Sequence, residues 1–516
     1  MKVCLIRPPQ VMKILSTLMK SSQPLGLAYV AAAIREAGHD VCVIDTIAES
    51  PEQINPFNKE LVTIGLSIEE ILERIPSDAD VIGFSCMFSM NWVHDRLLID
   101  KVGDAFPAAT LIAGGEHITA IPEFSIQKTR HLDVCVLGEG EETVVELLEA
   151  LENTRDLHSI TGIVFRNGKD TIRTAPRKRV REIDTLPYPA WDLFPMEKYF
   201  EHSIVYGVDR GRSVPIMATR GCPFSCTFCS SPQMWGTRYY MRDPEKVADE
   251  IEYLQKRYGI VNFDFFDLTA IIQKQWIIDF CQTIIRRGIQ MTWQIPAGTR
   301  SEAIDDEVAA YLYKSGCRNI TYAPESGSPD MLRIIKKKVK LRNMLQSMRY
   351  SSKEGMNIKL NMIMGFPDEK HKHIWETFKF LIQCSWVGAN DMAPSIFQPY
   401  PGSTLFNRLC EEGKINLNDD AYFYELIFVD SFLYNKFYNA HIHPVWLKSY
   451  QFLAYLVFYG SNFLFRPHRL FRMLYNIYTQ RYESRSEMAI GDLLKRLRYK
   501  PKQAEVQLTE INMQTK

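Results

Sequence analysis

The sequence carries no excess of either charge: 61 Lys and Arg residues stand against 61 Asp and Glu in 516 residues. A chain with no net field has little pull on a polyanion, which excludes nucleic acid as the main partner and leaves a small-molecule substrate as the expectation. Long apolar runs are also missing. The start, Met1-Lys2-Val3-Cys4-Leu5-Ile6-Arg7-Pro8-Pro9, is a short apolar stretch ended by prolines, without the apolar core and small-residue cleavage site of a signal peptide. Paired cysteines are missing as well. Eleven cysteines, an odd number mostly scattered singly, exclude a secreted disulfide framework and point to a reduced, cytoplasmic setting. A chain of this length is expected to hold about three domains with substantial apolar cores.

Three of the cysteines are not scattered. Cys222, Cys226 and Cys229 stand in Arg220-Gly221-Cys222-Pro223-Phe224-Ser225-Cys226-Thr227-Phe228-Cys229, spaced CxxxCxxC. Three thiolates can hold three corners of a cubane [4Fe-4S] cluster and leave the fourth iron open to a small ligand. Structural zinc needs a fourth ligand, and the nearest candidates, His202 and Cys281, are far away in sequence. A disulfide would use two of the three and strand the last.

Residues 1 to about 150 alternate short β-branched runs with helical stretches, the strands falling at Val3 to Ile6, Val41 to Ile44, Val81 to Ser85, Thr110 to Ala113 and Val134 to Leu137. This alternation predicts an α/β fold with a doubly wound, Rossmann-like parallel sheet whose ligand sits at the carboxyl ends of the strands. Loops at those ends carry Pro24, Gly26, Ser85, Cys86, Gly114, Gly115, His117, Gly138 and Glu139. Residues 151–205 read as a connector: a β-hairpin with an Asn167-Gly168 turn, then Leu186-Pro187-Tyr188-Pro189, whose prolines keep it out of a helix. Residues 206–420 hold six strand-then-helix units, with strands near Pro215, Asn262, Thr292, Asn319, Lys359 and Ala393. Six units are too few for a closed eight-fold barrel.

The triplet, with Phe228 just before its last cysteine, resembles the signature of radical S-adenosylmethionine enzymes. The strand-end loops ahead of it resemble the cobalamin-binding domain of that family's cobalamin-dependent members. The resemblance implies a partial (β/α)6 barrel with Cys222, Cys226 and Cys229 on a [4Fe-4S] cluster. It implies S-adenosylmethionine on the open iron, reductive cleavage to a 5'-deoxyadenosyl radical, bound cobalamin and an electron donor such as flavodoxin or ferredoxin. Pro324-Glu325-Ser326-Gly327-Ser328 resembles the family's Glu-Ser-Gly-Ser segment for the polar end of S-adenosylmethionine, although Ser326 and Ser328 also read as helix caps. Met364-Gly365-Phe366-Pro367-Asp368-Glu369 resembles Gly-Phe-Pro-Gly-Glu, with Asp368 in place of the second glycine. Pro399-Tyr400-Pro401-Gly402-Ser403-Thr404 matches a further family turn.

Asp267 falls where the family often places an acid facing the cavity, or it caps the helix beginning near Ile271. Gln294 and Arg300 follow the third barrel strand, and Arg300 suits a substrate carboxylate or phosphate. The Asp-x-His-x-x-Gly motif that supplies a histidine to cobalt is absent, since no histidine precedes His39. This fits members that hold cobalamin without such a ligand, or a domain that has lost the cofactor. His117 reads as a cofactor-loop residue or as a histidine bonded locally.

Residues 421–516 are aromatic and read as helical. Ser449 to Phe465 carries no charge, yet Gln451, Gly460, Ser461 and Asn462 interrupt it and exclude a membrane span. The segment is expected to cap the barrel mouth, the alternative being a basic, aromatic surface in peripheral contact with a membrane. Beyond about Lys500 the polar chain is expected to fray. The reading is C-methylation of an unactivated carbon in a bulky apolar intermediate, such as a tetrapyrrole or lipid. Oxidative cyclisation or rearrangement with the same cofactors, and a sensor without turnover, are the alternatives.

Overall fold

The computed structural model describes residues 1–13, 21–300, 302–428 and 436–498. The polar stretch beyond Lys500 lies outside them. Seven strands form the first sheet: β1 (Lys2–Arg7), β2 (Asp40–Asp45), β3 (Val81–Ser85), β4 (Thr110–Gly114), β5 (Val134–Val136), β6 (Ile163–Asn167) and β7 (Asp170–Arg173). Their order across the sheet is 7-6-5-4-3-1-2, and β1 to β5 run parallel. Helices cover both faces, so Val3 to Ile6 and Val134 to Val136 are buried on both sides and read as unbroken apolar runs.

The hairpin expected in the connector belongs to this sheet: β6 pairs antiparallel with β5, Val134 opposite Phe165. Between β1 and β3 the chain reverses its direction of winding. In such sheets the ligand crevice opens outside the carboxyl ends of the strands that flank this point.

The second sheet is β8 (Ser213–Ile216), β9 (Asn262–Phe265), β10 (Thr292–Thr299), β11 (Cys317–Glu325), β12 (Asn357–Met364) and β13 (Asp391–Ile396), all parallel and in chain order. This is the open six-unit barrel. Its edge strands each carry a proline, Pro215 and Pro394, and the prolines of the central strands β10 and β11, Pro296 and Pro324, fall where the pairing register shifts. Helix α1 (Pro444–Phe465) packs beside β13, burying Leu447, Ala454 and Phe458, and Gln451 donates to the Pro394 carbonyl at 2.9 Å.

The C-terminal helices thus do not cap the mouth. They seal the edge strand and, through α2 (His468–Thr479) and α3 (Arg485–Arg498), reach the amino end of the barrel. There the Asp391 carboxylate accepts the Arg485 amide at 3.0 Å.

Candidate active site between facing strand ends

The cysteine loop leaves the short strand Thr219–Arg220 above β8. Gly221 has φ +91°, and a Cβ there would lie 2.1 Å from the Arg238 carbonyl oxygen, so the turn requires glycine. The thiols of Cys222, Cys226 and Cys229 are free and half-buried. Burial raises the Cys226 and Cys229 thiols above their usual range, a cost that coordination offsets on metal binding. Among the described residues no three His, Cys, Asp or Glu groups converge on one metal ion. A cubane takes each thiolate on a different iron and needs a wider spread than a single ion does.

Neighbours hold this loop from several sides. Thr227 donates its amide to the Ile335 carbonyl at 3.0 Å, and the Leu405 amide donates to the Thr227 carbonyl at 2.9 Å. Phe228 packs on Phe366, ring centres 5.6 Å apart, with the Lys337 ammonium 6.0 Å from its own ring centre.

The two residues expected to face substrate do other work. The Arg300 guanidinium lies 3.5 Å from the centre of the Phe224 ring, pairs with Glu302 at 2.7 Å and donates to the Lys338 carbonyl. The guanidinium face packs on the loop at Phe224, while Nε and Nη2 are taken up by Glu302 and the Lys338 carbonyl. Asp267 is buried, accepts the Thr219 hydroxyl and the Ala218 amide (3.3 Å), and is pushed up to about 6 by burial. It neither opens onto a cavity nor caps a helix, because the next helix starts at Lys274. Gln294 sits deep in β10 and binds Val208 and Asp264 towards the amino end, away from the strand tips.

On β11, Glu325 has φ +66° and pairs with Lys337 at 3.0 Å, both side chains nearly buried. Burial raises the Glu325 carboxyl, while Lys337 pulls it back. Sequence reasoning missed Lys337, because the run Lys336-Lys337-Lys338 does not show which ammonium turns inward. Ser326 is buried with Thr377 at 3.4 Å and accepts the Ser328 amide at 3.2 Å, and Ser328 caps the helix Pro329–Ile334. The serines shape the turn below Glu325 rather than an open face. Gly365 (φ +86°) donates its amide to Glu369, a buried carboxyl lifted to about 8 by desolvation.

Across from this loop stand the ends of the first sheet. Gly115 has φ +119°, and an added Cβ would come 2.5 Å from the Cys86 carbonyl oxygen, so β4 and β3 approach too closely for any side chain. The Gly138 amide donates to Thr119 at 2.9 Å, with the Met234 carbonyl 3.6 Å from where a Cβ would be. Pro24 and Gly26 begin the helix Leu25–Glu36, and open space surrounds Gly26. Gly114 closes β4 against Val136. Ser85 is half-buried, followed by Met87 and Phe88, exposed by 38% and 59%.

Three of the loop residues expected to meet cofactor are already engaged. Cys86 is buried against Asp95, its thiol raised well above the usual range. His117 contacts Ser89 at 2.9 Å and Ser125 at 3.4 Å through its two ring nitrogens and stacks on Trp92 at 4.4 Å. Burial lowers it to about 3, so it stays neutral in the core and is not offered to a metal. Glu139 is clamped by Arg179 at 3.2 Å and Arg220 at 3.1 Å, and Arg220 also pairs with Glu141 at 2.6 Å. This buried ion cluster ties the residue two before Cys222 to the first domain. Ser230 donates to Glu116 and Gln233 to the Ala120 carbonyl (3.0 Å), so the strand ends of both domains face each other across one seam.

Two family profiles match the chain, the B12 binding domain over residues 13–148 and the radical SAM superfamily over 216–381. An uncharacterised methyltransferase of Pyrococcus horikoshii is 31% identical over 408 residues, 79% of this chain and 82% of the relative. The chain belongs to the cobalamin-dependent radical S-adenosylmethionine enzymes. Two more relatives of this enzyme carry different names. The cytidylyl-2-hydroxyethylphosphonate methyltransferase of Streptomyces wedmorensis is 26% identical over 82% of this chain and 84% of its own. The anaerobic magnesium-protoporphyrin IX monomethyl ester cyclase of Cereibacter sphaeroides is 27% identical over 76% and 61%.

Its fold matches the cobalamin-dependent S-adenosylmethionine radical enzyme OxsB with aqua-cobalamin and S-adenosylmethionine bound, at TM-score 0.68 and 15% identity over 96% of this chain and 75% of that one. As a radical S-adenosylmethionine enzyme of the cobalamin-dependent kind, the protein uses a [4Fe-4S] cluster, S-adenosylmethionine and cobalamin. The residues present fit these groups. Three free thiols on one loop suit the cluster, and the open strand-end face at Gly26, Ser85, Met87 and Phe88 suits a corrin held without a histidine on cobalt.

Proposed function

We propose that this enzyme transfers a methyl group to an unactivated carbon of a bulky, apolar biosynthetic intermediate, such as a tetrapyrrole, lipid or other natural product. The observation that carries the reading is the seam: the cysteine loop is tied through Arg220 to Glu139 and Glu141, which brings a radical source and a methyl carrier to facing strand ends. When bound, the cluster and S-adenosylmethionine supply the radical that removes a substrate hydrogen, and cobalamin supplies the methyl group. Cys222, Cys226 and Cys229 hold the cluster, with Phe224 and Phe228 fixing the loop against Arg300 and Phe366. Glu325, set by Lys337, and the Gly365 turn present polar groups to S-adenosylmethionine. Leu268 and Tyr400, both partly exposed near strand ends of the barrel, favour an apolar substrate over a sugar.

A flavodoxin or ferredoxin supplies the electron, in the cytoplasm. The second reading, oxidative cyclisation, rests on the cyclase among the relatives and starts from the same radical. A sensor without turnover would have no use for two facing cofactor seats.

The test is anaerobic reconstitution with S-adenosylmethionine carrying a labelled methyl group and a panel of apolar intermediates. Methyl transfer gives S-adenosylhomocysteine and 5'-deoxyadenosine together, with label in the product. Product with 5'-deoxyadenosine but no label would sink methylation and leave cyclisation. Wild type should hold about four irons per chain, and Cys226→Ala should lose them.

A further inference from the structure

The outer wall of the barrel carries a surface with no part in this chemistry. Helix α1 runs alongside the helix His371–Val387: at one end Tyr450 stands 6.2 Å from both Trp375 and Trp446, at the other Phe465 meets Trp386 at 5.0 Å. Helix α2 is fastened next to them by Arg469, which donates to the Gly388 and Ala389 carbonyls at 3.0 and 2.9 Å. The outward sides of these helices carry many large apolar side chains, with Lys372 and Lys379 among them. Trp375, Ile382 and Trp386 are exposed on one, Val445, Phe452 and Leu456 on the next. On α2, Phe471, Leu474, Tyr475 and Tyr478 follow the i, i+3, i+4, i+7 spacing of one helix face and are 54 to 85% exposed. So large an exposed apolar surface marks a contact with something other than water.

Charge on this wall is one-sided. Helix Leu341–Lys353, α1 and α2 contain no Asp or Glu, and helix His371–Val387 contains Glu376 alone, which is bonded to Ser328. Arg342 and Arg349, seven apart on one helix face, are exposed and have no ion pair among the described residues. They border a cavity of about 430 Å³ walled by Leu345, Ile382, Trp386 and Phe465. Lys372 and Arg472 pair with Asp330 and Glu483 of neighbouring segments, whereas Arg342 and Arg349 stand without an acid beside the apolar side chains. A second copy of the chain would set arginine against arginine here. No helix among the described residues is long and apolar enough to cross a membrane, so lipid contact would be interfacial.

We propose that this wall docks the enzyme on an anionic lipid bilayer, the Arg342 and Arg349 guanidinium groups holding a headgroup phosphate over the cavity while the rings of α1 and α2 enter the headgroup–acyl boundary. The inference is independent of which carbon is methylated. It is tested by flotation of the full-length, cofactor-loaded enzyme with vesicles of phosphatidylcholine, alone or with about a third phosphatidylglycerol. Wild type should float with the anionic vesicles and little with the neutral ones. Arg342→Glu with Arg349→Glu should lower the partition coefficient at least about tenfold, and so should Phe471→Ser with Tyr478→Ser, each with iron and corrinoid content unchanged. No flotation at either composition overturns the proposal, as does flotation that neither variant weakens. A dimer seen by sedimentation velocity, dissolved by the variants and indifferent to vesicles, would make the wall a self-association surface instead.

Discussion

Glu369 is a carboxyl whose proton the fold holds. Its folded pKa, lifted by burial to about 8, lies above the value of roughly 4.3 for an unfolded chain, so the folded state binds a proton that the unfolded state gives up between those limits. The stabilising contribution is full below about 4.3 and is lost as pH rises to about 8. Asp267, raised to about 6, acts in the same sense over a narrower window. Urea unfolding at a series of pH values should show Glu369→Gln removing a slope of about 1.4 kcal/mol per pH unit from this window. Parallel wild-type and variant curves would mean that the carboxyl is ionised in the fold. Gly115 offers a second single-residue test. With φ 119° and ψ 179° it occupies backbone space open only to glycine, and Gly115→Ala should cost about 1–3 kcal/mol in the same assay while lowering bound corrinoid.

At the scale of elements, α1 separates packing from surface within one helix. Phe458 is fully buried and Phe452 is 56% exposed. Phe458→Ala should cost about 3–5 kcal/mol by opening a cavity, and Phe452→Ser no more than about 0.5 kcal/mol, read from unfolding midpoints. This is also the scale at which the sequence was most legible. Val81 to Ser85 is a strand with the expected limits, and the other expected strands are in place to within a few residues, because a buried parallel strand announces itself as a β-branched run between helices.

What stayed hidden was non-local. The Ile163–Asn167 strand joins the first sheet because Phe165 pairs with Val134, which no local pattern states. Gln294 looked like a strand-tip residue, but β10 runs on to Thr299 and leaves it deep in the barrel. His117 is taken into the core by Trp92 and by Phe423 from the far end of the chain.

At the scale of the whole molecule, a buried ion cluster and a surface ion pair join the domains with unequal weight. Arg220, Glu139 and Glu141 are 2 to 6% exposed, whereas Arg96 and Asp420, 2.9 Å apart, are 23% and 36% exposed. Arg220→Met would strand the buried Glu141 carboxylate and leave Glu139 to Arg179 alone, and should cost about 3–5 kcal/mol, with iron lost alongside stability. Arg96→Met should cost no more than about 1 kcal/mol, since water already screens that pair. Equal losses in chemical denaturation would show that the buried cluster does not carry the interface.

The short span from Arg220 to Cys222 makes the two halves answer to one another. The guanidinium that grips Glu139 and Glu141 stands two residues from the first thiol, so a change that frees it loosens both loops at once. Corrinoid content should fall with iron in Arg220→Met, whereas Cys226→Ala, which leaves the ion cluster in place, should lose iron and keep its corrinoid.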